Sequence, residues 1–504
     1  MPAGTPRIAI IGSGFSGLCL AIQLKEAGIH SITLFEKEER LGGTWRDNTY
    51  PGACCDVPSI FYCFSFEQRT DWPRKWSPQS EILAYMDHCA EKYEILPHIR
   101  FGAEVESARF DGERGVWKIR TRDGEECEAD VLVDGTGQLH KPYTPDIPGL
   151  ADFGGECFHS ARWRHDVDLR GKRVGVVGNA ASAIQFAPQI APETEHLTIF
   201  QRTPNWMVPR GDRPYGETEQ RLLTRAPGLA RLYRFWIWLR AEALLFPAVR
   251  GNRFMSALLE KQALASMHEQ IHDPELRHAL TPDYPIGGKR VLISDDYYPA
   301  LARDDVDLET SGIERITEGG VRCKDGSERR LDVLILATGF DTTHFVAPIE
   351  IVGPEGRGIE ETWKDGAEAY LGVAVAGFPN FFLMYGPNTN LGHNSIIFMI
   401  ECQSRYIVQC VRRLWRDGLR SIEVSPEAMT SYNRRIQAEL RGTSWDRTDH
   451  SWYKNEAGRI TNNWPHSTQR YLWETRRIDW RHFRLHTRHA SSARADSASS
   501  PIDS

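Results

Sequence analysis

Gly12-Ser13-Gly14-Phe15-Ser16-Gly17 and Gly178-Asn179-Ala180-Ala181-Ser182-Ala183 repeat one spacing of small residues far apart in the chain. An apolar run enters each stretch, at 7–11 and at 173–177, and a segment with helical spacing leaves it. Small residues are needed there because the backbone must turn sharply and then bring its N–H groups against a phosphate at the start of the helix. One such turn holds one dinucleotide, so this chain must fold into something that holds two.

The run after each turn sets the preference of its unit. Residues 31–35 read as the second strand of the first unit, and Glu36 ends it about 20 residues past the turn, where a carboxylate accepts from a ribose 2′-hydroxyl. The same charge repels a 2′-phosphate, so FAD or NAD is expected. In the second unit 196–200 is the matching strand, followed by Gln201-Arg202-Thr203, which sets a cation where the first unit has a carboxylate. Arginine grips a 2′-phosphate through parallel N–H bonds, so NADPH is expected. A reason to hold both is to pass a hydride between nicotinamide and flavin.

The segments 130–137 and 332–339 are both apolar and end in Thr-Gly, a further echo between the units. The predicted fold class is α/β, with two nested Rossmann-like dinucleotide-binding domains and a helical insertion. The expected division is 1–150 for the first part of the FAD domain and 151–340 for the NADP domain, with a helical insertion at about 213–285. The second part of the FAD domain follows at 341–489, then a Ser/Ala-rich tail, 490–504, expected to be disordered.

Composition narrows the partners. At 504 residues the chain exceeds one core. A net charge of −7 argues against nucleic acid. The ten cysteines show no Cys-x-x-Cys pair or metal spacing. With no signal peptide read at the start, a reducing cytoplasm is expected. The apolar stretch 229–249 is interrupted by Arg231, Arg234, Arg240 and Glu242, so stable membrane insertion is not expected. Its aromatic part, 232–239, reads as a buried helix or a lid over a substrate channel, with a membrane-surface role as the alternative because Trp and Arg suit an interface; its bulk suggests a hydrophobic substrate.

The material around the two turns is more specific. Gly42-Gly43-Thr44-Trp45, with Asn48, Tyr50-Pro51-Gly52 and Asp56, resembles the flavin-contacting stretch of class B flavoprotein monooxygenases. Phe153, Gly155, His159 and Trp163 resemble the fingerprint of type I Baeyer–Villiger monooxygenases, although Arg164 follows where Pro or Asp is usual. The segments 283–290, 386–393 and 463–465 are similar to further stretches of that family, in the family's order, from Ile8 to about Arg476.

The resemblance implies that NADPH reduces FAD, that the reduced flavin takes O2 at C4a, and that the peroxyflavin attacks a ketone to give an ester or lactone. Arg290 is then the fixed charge of the reaction and Asp56 the carboxylate that orients it. Gly12, Gly14, Phe15, Gly17, Glu36, Gly43, Thr44, Trp45, Asp56, Tyr62 and Val105 are implied FAD contacts. Gly178, Asn179, Ala181, Ser182, Gln185, Arg202, Thr203 and Lys289 are implied NADPH contacts, with Trp464 against the nicotinamide nucleotide. His159 is read as structural. Ala180 stands where glycine is usual, and its methyl group is expected to crowd the pyrophosphate. No metal is required, and a monomer or homodimer is expected. The rival readings are an N- or S-oxygenating enzyme, a reductase using Cys54-Cys55, and a flavoprotein that has lost NADPH binding.

Overall fold

A computed structural model describes residues 5–449 and 451–487; the tail from 490 onward lies outside them. The chain folds around two parallel sheets, each built from the short apolar runs that the glycine turns interrupt. In the first sheet the strand order is Phe381–Leu383, Val131–Asp134, Ile8–Ile11, Ile32–Phe35, Ile99–Arg100. In the second it is Val306–Glu309, His196–Phe200, Arg173–Val177, Val333–Leu336, Glu156–His159. All neighbouring pairs in both sheets are parallel. Strands such as Ile8–Ile11 and Val333–Leu336 are buried along their whole length, which is why they read as continuous apolar runs rather than alternating ones.

The second sheet draws every strand from 156–336, whereas the first takes strands from both before and after that span. The chain therefore leaves and re-enters the first unit. The two crossings run side by side: Tyr143 N–H donates to Gly339 O at 2.9 Å and Asp341 N–H to Lys141 O at 3.0 Å. An antiparallel meander over 105–129, extended by Glu350–Val352, completes the first unit. Helices from Glu217 to Leu280 leave the second unit as an insertion.

Each glycine of the first turn is required for a different reason. Gly12 has φ +95°, a left-handed conformation that suits glycine. A Cβ on Gly17 would lie 2.0 Å from Gly12 O, so Gly17 lets the helix Phe15–Glu26 pack against the turn it leaves. Gly14 is different: a Cβ there meets only Gly43 Cα, at 3.8 Å, and its side is open toward the cavity. Gly17→Ala is accordingly expected to destabilise the apoprotein by about 1–3 kcal/mol through overpacking. Gly14→Ala should leave the thermal midpoint unchanged; circular-dichroism melts of the two variants check this.

Candidate active site

A single cavity of about 1500 Å³ opens between the two sheets. It exceeds the roughly 300–1,000 Å³ of a site for one small ligand. On the first unit's side it is lined by Gly12, Gly14, Phe15, Glu36, Gly43, Thr44 and Trp45, together with Asp56, Tyr62 and Val105. Gly178, Asn179, Ala181, Ser182, Gln185, Arg202, Thr203, Lys289 and Arg290 line the other side. Residues remote in sequence are thus brought to one space.

Gly43, at φ +53°, comes so close to the first turn that a Cβ on it would lie 3.2 Å from Gly14 Cα. Trp45 Nε1 donates to Tyr62 Oη at 3.1 Å, and the Tyr62 ring meets Phe15 edge-on at 5.4 Å. Burial pushes the Tyr62 phenol well above its ordinary range. Glu36 is buried and accepts from Ser13 N–H at 3.1 Å, Ser13 Oγ at 2.6 Å and Glu38 N–H at 3.1 Å. Arg46 pairs with it at 2.9 Å. This arginine was not singled out from the sequence; only its place beside Trp45 marks it.

The second unit copies the first closely. Gly12 N–H donates to Phe35 O and Gly178 N–H to Phe200 O, so the residue in register with Glu36 is Gln201 rather than Arg202. Asn179 Nδ2 donates to Gln201 Oε1 at 2.6 Å, as Ser13 does to Glu36. A neutral amide has replaced the carboxylate, and the cation sits one residue further on. Arg202 is exposed, and neither it nor Lys289 pairs with a carboxylate among the described residues. Burial, helped by the nearby Arg202 charge, lowers the Lys289 pKa, as expected of cations gathered without an anion.

Ala180 leaves the turn undistorted: its φ and ψ are −88° and −160°, against −74° and −168° at Gly14. The extended backbone accepts alanine without strain. The methyl group therefore costs only the space it takes beside the phosphates.

Arg290 and Asp56 meet at the junction of the two units. Arg290 Nε donates to Asp56 Oδ2 at 2.7 Å, and Nη2 donates to the same oxygen. Asp56 holds the guanidinium even further above neutral pH than usual. The loop carrying Arg290 lies tight against its neighbours, since a Cβ on Gly287 would be 2.4 Å from Val249 O. Tyr385, Asn390, Leu292, Ile396 and Ile400 line the same cavity. Tyr385 Oη donates to Asn390 Oδ1 at 2.6 Å.

Known proteins give this arrangement a family. The sequence profile of the flavin-binding monooxygenase-like family matches residues 5–350. The chain belongs to that family. It is 43% identical over 467 residues to a Baeyer–Villiger monooxygenase of Streptomyces coelicolor, covering 92% of this chain and 90% of that one. An oxidised steroid monooxygenase bound to NADP superposes with a TM-score of 0.86 at 30% identity, covering 96% of this chain and all of that one. The protein OTEMO, in complex with FAD and NADP, gives 0.86 at 26%, with the same coverage.

Both dinucleotides fit the residues present in this monooxygenase. Gly14 and Gly43 leave a slot free of side chains at the first helix start, and Arg202 and Lys289 offer charge without a partner at the second. Not every expected contact is at the cavity. Gly17 is under the turn, as described. Gln185 lines the cavity, but its amide is committed elsewhere: it accepts from Tyr50 Oη at 3.0 Å and Cys54 N–H at 3.3 Å, and donates to Cys54 O at 3.1 Å.

Trp464, placed against the nicotinamide by resemblance, is instead core and does not line the cavity. Its N–H donates to Asn390 O at 2.9 Å and its Nε1 to Ser467 O at 3.0 Å, which satisfies both donors within the protein. The fingerprint residues also lie off the cavity. His159 Nδ1 accepts from Ala161 N–H and Nε2 meets Gly339 O at 3.1 Å, tying one chain crossing to the other. Burial lowers its pKa, keeping it neutral. Trp163 packs on Phe158 and Phe186, and Phe153 packs on a small cluster around Ile316. A Cβ on Gly155 would meet Asp332 O at 2.3 Å.

Losing a charge-assisted hydrogen bond costs about 1.5–3 kcal/mol, or roughly 10- to 150-fold in affinity. Arg202→Ala and Lys289→Ala should each raise the KM for NADPH by about that factor and leave the KM for NADH nearly unchanged. Steady-state kinetics with both coenzymes decides it.

Proposed function

We propose that the protein is an FAD- and NADPH-dependent Baeyer–Villiger monooxygenase acting on a hydrophobic ketone. A ketone, O2, NADPH and a proton give an ester or lactone, NADP⁺ and water. The observation that carries this reading is Arg290, oriented by Asp56 on the wall between a flavin-type and an NADP-type turn. Bound FAD, once reduced by bound NADPH, supplies the activated oxygen atom.

The protein supplies position and charge. Gly12, Gly14, Glu36 and Gly43 hold FAD; Gly178, Ser182, Arg202, Thr203 and Lys289 hold NADPH. In this division 151–340 is the NADP domain, and the FAD domain is made of what precedes and follows it. Asp56 occupies Nε and Nη2 of Arg290, and Nη1 makes no hydrogen bond among the described residues, so it is free to face the reacting oxygens. A fixed cation in a walled site stabilises the oxyanion formed when a carbonyl is attacked. A heteroatom substrate forms no such oxyanion, and this favours a ketone.

Leu292, Leu391, Ile396 and Ile400 give the cavity an apolar wall for the substrate. The reductase reading needs a reactive thiol, yet burial pushes Cys54 up to about 11 and Cys55 higher still. All ten cysteines are free thiols, in keeping with a reducing cytoplasm.

Removing a preorganised charge or donor of this type costs about 10²–10³ in kcat. Arg290→Ala should lose that factor in ester formation, read by mass spectrometry of the product. Anaerobic bleaching of the flavin by NADPH should persist in the variant. Unimpaired ester formation would sink the reading, as would wild-type oxidation of amines or sulfides but of no ketone.

A further inference from the structure

The sequence leads to the expectation that the aromatic run 232–239 is buried or forms a lid on the substrate channel. The structure overturns both: Leu232 is 62% and Trp236 58% exposed, and no residue of the helix Pro227–Arg240 lines the cavity. The helix seats Ala230, Tyr233 and Ile237 against the core and still turns a second apolar face outward. Two of its polar groups, Arg234 and Trp238 Nε1, face inward at four-residue spacing. Arg234 donates to Ile60 O at 2.9 Å and Cys63 O at 2.8 Å, and Trp238 Nε1 donates to Thr468 Oγ1 at 2.9 Å. Glu242, in the π turn that follows, accepts from Asn394 Nδ2 at 2.7 Å. The outer stripe is apolar, with Leu229, Leu232, Trp236 and Leu239 at spacings of three and four and Phe235 beside them.

Exposed apolar residues recur further along the insertion. Phe254, 77% exposed, and Leu258 lie one turn apart on the adjoining helix Arg253–Gln270. Of the thirteen large apolar side chains exposed among the described residues, nine fall between Leu222 and Leu258, so exposed apolar surface is concentrated in the insertion rather than scattered over the chain.

The charges on the patch have one sign. Between 220 and 259 the only carboxylate is Glu242, which is turned inward. Arg225, Arg231, Arg240 and Arg253 are exposed, and none pairs with a carboxylate among the described residues. By helical geometry Arg231 and Arg240 flank the apolar stripe on opposite sides. Their stems can lie along apolar surface while the guanidinium groups reach phosphate.

The geometry points to an interfacial docking surface: the outer face of 222–258 seats this enzyme on a bilayer of anionic phospholipid, lying in the headgroup region without crossing it. Apolar side chains with flanking cations and no exposed acid match that surface and no neutral one. No helix among the described residues is long and apolar enough to span a membrane, so the contact is peripheral. Its chemistry does not depend on which substrate the cavity takes.

The test is co-sedimentation of the flavin-loaded protein with vesicles. One set is phosphatidylcholine alone, the other an equimolar mixture with phosphatidylglycerol. Binding is expected to the mixed vesicles only and to weaken with salt. The double variants Phe235→Ser/Trp236→Ser and Arg231→Glu/Arg240→Glu should each lose about tenfold or more in affinity, with flavin content and NADPH oxidation unchanged. Absence of binding to the mixed vesicles overturns the proposal, as does equal binding by the variants. A wild-type dimer in analytical ultracentrifugation that Phe235→Ser/Trp236→Ser dissociates, without vesicle binding, would assign the face to a second copy of the chain instead.

Discussion

The cavity exists because two separately built units are held together along a seam between a loop of one and a helix of the other. The loop from Asp47 to Asp56, which follows the first unit's Gly42-Gly43 turn, lies on the second unit's helix Ala181–Ile190. Gln185 of that helix closes three hydrogen bonds with Tyr50 and Cys54, and Gly52 lies so close that a Cβ would meet Gln185 O at 2.6 Å. Breaking one buried polar partner here strands the others, at a cost of about 1–3 kcal/mol for each group left unpaired. Arg290 and Asp56 continue the seam, so the pair proposed to carry the chemistry also joins the units.

This arrangement explains why the fingerprint residues lie away from the reaction. His159 binds Gly339 O at one chain crossing, while Trp163 and Tyr50 both pack against Phe186. They brace the second unit at the point where Tyr50 of the first rests on it.

The contrast between Glu36 and Gln201 has the same economy. Both follow a phenylalanine whose carbonyl receives the turn's glycine N–H, and both are held by the residue after that glycine. A carboxylate in one unit is thus an amide in the other, with the cation Arg202 beside it, on the same local backbone pattern; the proposed difference in nucleotide preference rests on that exchange. The insertion helix departs from the usual pattern in a different way, being apolar on both faces: Ala230, Tyr233 and Ile237 pack inward while Leu232, Phe235 and Trp236 are exposed.

The glycine turns, the parallel α/β class and the residues around both helix starts were legible in the sequence, because a close backbone–phosphate approach and a strand buried on both faces each leave a local pattern. The motif around Lys289-Arg290 and Asp56 was legible only through resemblance, since nothing in the spacing of residues 56 and 290 says that they meet. The sequence put Arg202 in register with Glu36, Trp464 at the cofactor, and 232–239 under cover. Tertiary structure decided otherwise in each case. A side chain's partner depends on what packs across from it, and periodicity states that a helix has two unlike faces without stating which one the fold turns inward.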